Sequence, residues 1–561
     1  MPGAMRDPPQ VPGALPLIGH MVPFGKNPFE FMRRVRADFG DIAEFRMFHQ
    51  RMVLLTGDEA SELFFRGTDA ELDQSAAYKL MTPIFGKGVV FDAPQERKDQ
   101  QLRMLMPALR DKSMRSYAGK IVGEVEGLLE PLKDAAVVDL TEFTKELTIY
   151  TSSHCLLGPE FRYELTKEFA QIYHDLEAGV QPIAYIHPFL PLPAFKRRDR
   201  ARKRLEDQVT RIIAKREKQA TKSTDMFQSL IDSRYKDGSR PTPYEITGML
   251  VGAMFAGHHT SSGTTAWVVL ELLKRPELLK RVRTEVDAAY ASDGEISFES
   301  LRHLPLLDSV LREVLRLHPP LIILIRKVLE DLTFRDYHIP AGKYVCVAPP
   351  VTHRIPELFP NPEAFDPDRY SAERGEDKNL NAYQPFGGGK HKCSGNAFAQ
   401  FQIKTIIAAL IRRMDLELVD PESYYYDDYT QMIVQPKSPC RVRFRRRPEA
   451  SIPAAATRIR AEQADKGCPF SPPQTEKPRW RLEIDGQLCQ GHAVCMGEAP
   501  ELFFVGDGND ALGEVKVAHP TEAQLTAARK AARLCPNSAI RIIDNRDDAA
   551  AAAAEPVRAK T

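Results

Sequence analysis

The sequence predicts two domains, of which the first is large and rich in helices and the second is small and mixes strands with a helix. With 561 residues the chain is too long for one ordinary domain. Charged amphipathic helices are predicted over 160–240, and the run at 196–208 is expected to be a solvated helix face. Beyond residue 479, short alternating runs indicate strands, and one helix precedes the last of them.

A change in composition separates the two domains. The segment between them is rich in proline, alanine and charge and has no sustained periodicity, which is typical of a semi-extended linker. The end of the chain, DDAAAAAAEPVRAKT, has low complexity and is predicted to be disordered. The predicted segments are a first domain at 1–447, a linker at 448–478, a second domain at 479–545 and a tail at 546–561.

The composition indicates which cellular compartment and which classes of binding partner to expect. The chain has 77 basic and 76 acidic residues, a net charge of +1, which argues against nucleic acid or a membrane surface as the main partner. Eight cysteines are too sparse for a disulfide framework and favour a reducing compartment. The proline-rich N-terminus does not resemble a signal peptide, and no segment has the ~18 continuous apolar residues of a membrane span. We therefore expect a soluble, cytoplasmic protein without an integral membrane segment.

The strongest motif is the loop FGGGKHKCSG at 386–395. Consecutive glycines permit sharp, partly left-handed turns close to a flat ligand. Cys393 stands just before a long helical stretch, where free amides and the helix dipole favour a thiolate, and such a thiolate suits an axial ligand of haem iron. The alternative for these residues alone is a glycine-rich loop with a buried free cysteine.

The spacing of the residues in this loop resembles the haem-binding signature of the cytochrome P-450 family. The resemblance implies a mainly α-helical haem-thiolate monooxygenase fold with a small β-rich side, haem b as cofactor and O2 as a reactant. It implies that Cys393 is the haem iron ligand. The residues that it implies in binding the haem, some of them at the propionates, are Tyr78, Lys98, Arg326, Phe386, Gly387, His391 and Gly395.

The longest predicted helix carries a polar segment in an apolar surrounding. Thr242, Pro243 and Glu245 provide a cap, a first-turn proline and a capping-box glutamate, and the helix is expected to run to about Lys274. Its middle reads AGHHTSSGTT at 256–265, and buried polar groups of this kind need partners. One interpretation is a polar patch that meets another helix.

The family resemblance suggests the other interpretation, an oxygen-activation groove. It implies that Thr260 is catalytic and that His259, at a position where the family usually has an acid, relays protons. A histidine at this position is similar to the sterol 14α-demethylase branch. The segment 78–93 also closely resembles the loop over the substrate pocket of that branch, although on physical grounds alone it is an ordinary packed loop. The residues implied in the substrate pocket are Tyr78, Leu80, Phe85, Ala256, His258, Leu321, Ile322 and Ile323.

A further group of residues is implied to be structural. Glu313 and Arg316 are three residues apart on one helix face and can pair. Followed by HPP and later by FDPDRY, they resemble the Glu–Arg–Arg triad of the family, with Arg369 as the third member. This triad braces the haem core and does no chemistry.

The second domain resembles small bacterial ferredoxins. Cys489 and Cys495 stand six residues apart, with His492 between them, and Cys535-Pro follows near the end of the domain. This matches the ferredoxin cysteine pattern except at the histidine, so the resemblance implies an α+β ferredoxin-like fold and a [3Fe-4S] cluster. The alternatives are a [4Fe-4S] cluster and a zinc site with three cysteines and one histidine. The isolated Cys468 is expected to have no ligand role.

Together the resemblances imply a monooxygenase fused to its electron carrier. The favoured function is sterol 14α-demethylation of a lanosterol-like sterol, in three O2-dependent oxidations with release of formate. The alternatives are a hydroxylase of another lipid or terpenoid and, in a different class, a haem-based sensor or carrier. We find no flavin or nicotinamide motif in the sequence, so a separate NAD(P)H-dependent ferredoxin reductase is expected as a partner.

Charge predicts how the two domains meet. Residues 479–526 hold eight acids against three bases, whereas Lys390 and Lys392 flank the Cys393 loop. We therefore expect the cluster face of the second domain to dock on this basic side of the first.

Overall fold

The computed structural model describes most of both domains. The described residues are 5–132, 134–185, 187–219, 223–371, 373–448, 480–486, 489, 491, 494–506, 512–535 and 539–544. The predicted tail, the predicted linker apart from Pro448, and the predictions for Cys468 and His492 lie outside them.

Helices form most of the first domain. They are α1 (Met21–Lys26), α2 (Pro28–Phe39), α3 (Asp58–Arg66), α4 (Thr82–Phe85), α5 (Gln95–Leu105), α6 (Asp111–Met114), α7 (Ala118–Leu129), α8 (Leu140–Ser152), α9 (Thr166–Glu177), α10 (Pro193–Arg216), α11 (Met226–Asp232), α12 (Pro243–Leu273), α13 (Pro276–Asp293), α14 (Pro305–Leu317), α15 (Pro349–Thr352) and α16 (Asn396–Arg413). The second domain contributes α17 (Val494–Glu498) and α18 (Glu522–Leu534).

Short strands form the β-rich side of the first domain and part of the second. They are β1 (Ile42–Met47), β2 (Gln50–Leu55), β3 (Leu72–Asp73), β4 (Ala135–Asp139), β5 (Leu324–Val328), β6 (Leu332–Phe334), β7 (Tyr337–Ile339), β8 (Tyr344–Val347), β9 (Met414–Leu418), β10 (Asp427–Asp428), β11 (Gln435–Pro436), β12 (Arg441–Arg446), β13 (Trp480–Ile484), β14 (Phe503–Val505), β15 (Gly513–Val515) and β16 (Ile540–Asp544).

The sheets are small. One has the strand order β1-β2-β8-β5-β3, with β2 and β8 parallel and the other neighbours antiparallel. A second has the order β4-β12-β9, and the pairs β6–β7 and β10–β11 are two-stranded. In the second domain β13 pairs with β16 and β14 with β15, both antiparallel. The predicted fold class, a mainly α first domain with a small β-rich side and an α+β second domain, is confirmed.

The long helix α12 organises the first domain. As predicted, Thr242 caps it: the Thr242 hydroxyl accepts a hydrogen bond from the Glu245 amide, and the Glu245 carboxylate accepts one from the Thr242 amide at 2.8 Å. The helix ends at Leu273, three residues before Pro276, and packs against α8, α10, α14 and α16. Because helices surround it, its apolar residues are buried on nearly every side.

The run at 196–208 is largely a solvated helix face, as predicted, but two of its arginines are buried. It lies in α10, and Arg198 and Arg202 are 0% and 6% exposed. Arg202 donates hydrogen bonds to the carbonyl oxygens of Phe85 and Tyr244, and Arg198 donates one to the carbonyl of Pro188. These two arginines are buried because they satisfy backbone acceptors of neighbouring segments, whereas the other basic residues of the run are exposed.

Candidate functional site

A cavity of about 1830 Å³ lies between the middle of α12 and the glycine-rich loop. Ala256, His259 and Thr260 form part of its wall on α12, and Cys393 lies on the wall formed by the loop. The rest of the lining is largely apolar and includes Tyr78, Leu80, Phe85 and Leu321. The fold therefore gathers predicted site residues from widely separated parts of the sequence around one space.

Glycine is required in the loop that presents Cys393. Gly387 and Gly389 have φ of 70° and 62°, in the left-handed region that favours glycine. A Cβ on Gly389 would lie 1.9 Å from the carbonyl oxygen of Phe65 in α3. The Cys393 amide then donates to the Phe386 carbonyl at 2.9 Å, which closes the loop just before α16 begins at Asn396. The predicted left-handed turns are confirmed.

Opposing influences act on the pKa of the Cys393 thiol. Burial raises its pKa, and the opposing effects of the Gly395 amide and the Lys392 charge do not overcome it. Loss of solvation is therefore the largest influence on this pKa in the protein alone. A metal ion deprotonates a coordinating thiol, so this Sγ suits a metal ligand better than a free nucleophile.

Buried basic groups line the cavity near the loop. Lys98 is 2% exposed, and burial lowers its pKa in spite of nearby carboxylates. Arg326 is 3% exposed, donates to the Phe64 carbonyl at 2.6 Å, and has a pKa lowered by burial to about 10. His391 contacts Asp69 at 2.5 Å, and burial lowers the pKa of this histidine as well.

The buried basic side chains at the cavity wall indicate whether the cavity can accept haem. Burying cations at the wall of a cavity is unfavourable unless an anion compensates them. Asp69 is engaged by His391 and by Lys390, the latter at 2.8 Å. Lys98 and Arg326 therefore face a space that is suited to further carboxylates, and haem carries two propionates. With Cys393 on the same cavity, the residues present fit this cofactor.

The opposite wall holds the polar segment of α12. The Thr260 hydroxyl lines the cavity and donates to the Ala256 carbonyl at 2.7 Å, which satisfies it within its own helix. His259 Nε2 lies 2.5 Å from Glu177 at the end of α9, and its Nδ1 lies 3.1 Å from the Gln435 amide of β11. The polar segment therefore meets another helix and also faces the cavity.

Glu177 and Gln435 were not identified by sequence reasoning. Two histidines in an apolar helix do predict a polar partner, but not which residue supplies it. Burial raises the pKa of Glu177, yet its hydrogen bonds with His258 and His259 outweigh this and bring it to about 2. The carboxylate is thus an anion between two imidazoles.

Three residues predicted in the substrate pocket lie elsewhere. His258 is 3% exposed and points to Glu177 and to the Lys145 carbonyl, because successive residues of a helix are rotated by about 100°. Ile322 and Ile323 belong to the apolar core with Phe45. An extended segment alternates its side chains, so Leu321 can face the cavity while the next residue faces the core.

The predicted triad is fully buried. Glu313 forms ion pairs with Arg316 at 2.8 Å and with Arg369 at 3.1 Å, and all three side chains are 0% exposed. Arg316 also donates to the carbonyls of His353, Pro362 and Ala364, so it ties α14 to two later segments. The arrangement does not reach the cavity wall and is suited to a structural role.

The cysteines of the second domain lie around Gly513. The Gly513 amide donates to Cys489 Sγ at 3.1 Å, and a Cβ on this glycine would lie 3.8 Å from Cys495 Sγ. Burial, followed by the charges of the neighbouring Cys535 and Cys489, raises the pKa of Cys495 to about 12. The Ala539 amide donates to Cys535 Sγ at 3.3 Å. Amide hydrogen bonds to sulfur are among the features that tune iron–sulfur clusters.

The spacing of these thiols argues against a single zinc ion. Among the residues that the structure describes, Glu177, His258 and His259 are the only three potential ligands within 4.8 Å of one another. The three thiols are therefore more widely spread, whereas Zn–S bonds of 2.3 Å place sulfurs roughly 3.8 Å apart. A cluster of several irons fits this wider spacing.

Within the described part of the chain, no helix has both the length and the apolar character needed to cross a membrane.

Comparisons with known proteins match both parts of the chain. The family model described as Cytochrome P450 matches residues 9–444, and the model described as a 4Fe-4S single cluster domain matches residues 482–542. The sterol 14alpha-demethylase of Mycolicibacterium vanbaalenii is 45% identical over 449 residues, 79% of this chain and 99% of the relative. The obtusifoliol 14-alpha demethylase of Sorghum bicolor is 38% identical over 453 residues, 79% of this chain and 92% of the relative. The solved structure of retinoic acid bound cyanobacterial CYP120A1 has a TM-score of 0.70 at 26% identity, over 79% of this chain and 100% of that one.

Proposed function

This chain belongs to the cytochrome P450 family, and from that membership we propose that it is a sterol 14α-demethylase supplied with electrons through its own iron–sulfur domain. The observation that carries the proposal is the cavity with Cys393 on one side and Thr260 with His259 on the other, in a chain that is 45% identical to a sterol 14alpha-demethylase. In the proposed reaction a 14α-methyl group is oxidised in three O2-dependent steps and leaves as formate.

The haem, held by Cys393 and by the basic groups at Lys98, Arg326 and His391, supplies the activation of O2 when bound. The chain's own contribution is to hold the sterol in a largely apolar cavity and to provide protons. His259 is placed for this because its Nε2 contacts the anionic Glu177, while the hydroxyl of the next residue, Thr260, faces the cavity. The ring nitrogens of His259 contact Glu177 and Gln435, and the Thr260 hydroxyl donates to the Ala256 carbonyl. A proton passed from His259 to Thr260 would therefore travel through the cavity that both residues line, and would be replaced from the Glu177 side.

Demethylation of lanosterol is the direct test. The full chain, loaded with haem and supplied with NADPH and a ferredoxin reductase, should convert lanosterol to its 14-demethylated product with one formate per product. Oxidised sterol or terpenoid without loss of a carbon would favour the hydroxylase alternative, and binding without turnover would favour the sensor.

Leu80 is proposed to select the substrate. It lines the cavity and is 3% exposed, packed near Ala184 and Phe195. Leucine leaves room for a second methyl at sterol carbon 4, so the enzyme should prefer lanosterol to obtusifoliol. Leu80→Phe fills that room and should lower the lanosterol/obtusifoliol ratio of kcat/KM by about tenfold, the discrimination expected of one methyl in an apolar pocket. Leu321→Phe, elsewhere in the lining, is the matched control, and an unchanged ratio in Leu80→Phe would reject this role.

The cluster is proposed to contain three irons. Cys489, Cys495 and Cys535 would hold it and it would supply single electrons, while His492 stands in the sequence where a fourth thiolate is usual. The oxidised protein should give an electron paramagnetic resonance signal that disappears on reduction in the usual mode. His492→Cys should then allow a four-iron cluster of lower potential. Four irons in the cluster of the anaerobically purified wild type would contradict the assignment.

The contact between the domains supports docking beside Cys393. Lys392 is within electrostatic range of Cys535 of the second domain: burial lowers the pKa of Lys392, and the charge of Cys535 opposes this. Arg110 donates to the carbonyl of Gly506, and the cavity extends to second-domain residues including Cys489. Lys390 is instead engaged by Asp69 and Asp99, so the docking charge is assigned to Lys392.

Lys392→Glu should therefore slow the reduction of the haem by about tenfold, since charge reversal at a docking surface acts on encounter and orientation. The measurement is the rate at which the carbonyl complex appears after NADPH is mixed with the full chain and its reductase under carbon monoxide. Lys196→Glu, an exposed position on α10, is the charge-matched control and should keep the wild-type rate. Equal rates in Lys392→Glu and the wild type would contradict the docking site.

A further inference from the structure

The two adjacent histidines of α12 and the acid at the end of α9 form a cluster whose chemistry goes beyond proton transfer. Glu177, His258 and His259 each offer a ligand atom, and these atoms lie within 4.8 Å of one another. His258 Nδ1 is 3.4 Å from Glu177 Oε1, and His259 Nε2 is 2.5 Å from the same oxygen. Two imidazole nitrogens and a carboxylate oxygen thus converge on one point.

The outer contacts of both rings leave these nitrogens available as ligands. His258 Nε2 lies 3.2 Å from the Lys145 carbonyl, so that nitrogen carries the proton and the Nδ1 lone pair faces Glu177. His259 Nδ1 lies 3.1 Å from the side-chain amide of Gln435, whose oxygen can accept its proton once the amide is turned. An imidazole fixed by a carbonyl through its second nitrogen is the usual arrangement of a metal-binding histidine.

We propose that Glu177, His258 and His259 bind a divalent transition-metal ion, best matched by zinc, that bridges α9 and α12. Zinc takes histidine nitrogens and a carboxylate oxygen at about 2.0–2.2 Å in tetrahedral geometry, which places ligand atoms roughly 3.3 Å apart. The three ligand atoms now lie within 4.8 Å of one another, and small side-chain shifts would bring them to the separation that zinc requires. The fourth position is open to water from the cavity, because Glu177 and His259 line it.

The bound ion would be an inhibitor of the proposed reaction, and this part of the inference rests on the proposed function. A metal on His259 Nε2 occupies the nitrogen that would otherwise carry the proton towards Thr260. It also fixes the end of α9 to α12 above the substrate space. The haem-binding residues are untouched, so the ion should slow turnover without displacing the cofactor.

Zinc binding at equilibrium tests the site independently of turnover. The full chain, free of any histidine tag, with haem and cluster loaded and adventitious metal removed by chelator, is titrated with zinc chloride by calorimetry. One zinc per chain should bind to the wild type with an affinity at least about tenfold higher than to His258→Ala or Glu177→Gln. His338→Ala removes a histidine that pairs with Asp331 on the surface, and it should bind zinc as the wild type does.

Crystals soaked in zinc should give an anomalous peak between α9 and α12. Equal zinc affinity in wild type and Glu177→Gln, or a peak only at other residues, overturns the proposal. If His258→Ala does not fold, Glu177→Gln, which keeps the size of the side chain, decides the outcome. Zinc that binds at this site in a protein that fails to demethylate sterols would leave the metal site standing and reject the proposed function. Normal turnover in a protein that binds no zinc would reject the metal site and leave the proposed function standing.

Discussion

Replacement of Cys393 by histidine should abolish sterol turnover and remove the red-shifted carbonyl band of the reduced haem. The reason is electronic: a thiolate donates electron density to the iron in a way that imidazole does not. Loss of this donation should lower turnover by at least about a thousandfold, comparable to the loss of a principal catalytic group. The imidazole can still hold the iron, so the variant separates loss of the thiolate from loss of the haem.

Cys155→Ala is the matched control for this variant. Cys155 is a fully buried thiol in the helical core, outside the cavity lining, so its removal should leave the carbonyl band in place. The measurement is the difference spectrum of the dithionite-reduced protein with and without carbon monoxide. A Cys393→His variant that retained the red-shifted band would show that another residue is the ligand.

Replacement of Cys495 by alanine should disconnect the first domain from its electron supply. Cys495 is 8% exposed and lies beside Gly513, close to Cys489. Without it the second domain should lose its cluster, and NADPH-driven demethylation should fall by at least about 100-fold, since the remaining route is direct reduction by the reductase. Iron and sulfide content and the rate of formate release are the measurements.

The same variant should retain every property that belongs to the first domain alone. The dithionite-reduced carbonyl band and the spectral shift on lanosterol binding should match those of the wild type, because Cys393 and the cavity are unchanged. Cys468→Ala, at a cysteine that the sequence predicts to be without a ligand role, should keep full NADPH-driven activity. NADPH-driven turnover that survives the loss of the cluster would mean that the second domain is not the electron donor.

Some features of this protein could be predicted from sequence because they depend on neighbouring residues. The cap of α12 needs only Thr242 and Glu245 three positions later, and the cap of α18 likewise needs only Thr521 and Gln524. The turns at Gly387 and Gly389 need only the absence of a side chain. Each of these interactions closes within a few residues, so the order of residues is sufficient to determine it.

Features that depend on the packing of distant segments were beyond the sequence. The contact of His259 with Glu177 spans 82 positions and exists because the last residue of α9 lies beside the middle of α12. The exclusion of His258 from the cavity follows from the rotation of α12 against its neighbours, which a residue pattern does not specify. The pKa of Cys393 likewise depends on distant segments, since desolvation raises it and opposes the nearby Gly395 amide.

The sequence by itself therefore determined the fold class of the two parts, the local caps and the glycine turns of this protein. Only the tertiary structure decided which polar groups share a cavity wall, that Lys390 is engaged by Asp69 and Asp99, and that Ile322 belongs to the core. The physical reason is that desolvation and charge pairing are set by everything that surrounds a group in space, and most of those surroundings are distant along the chain.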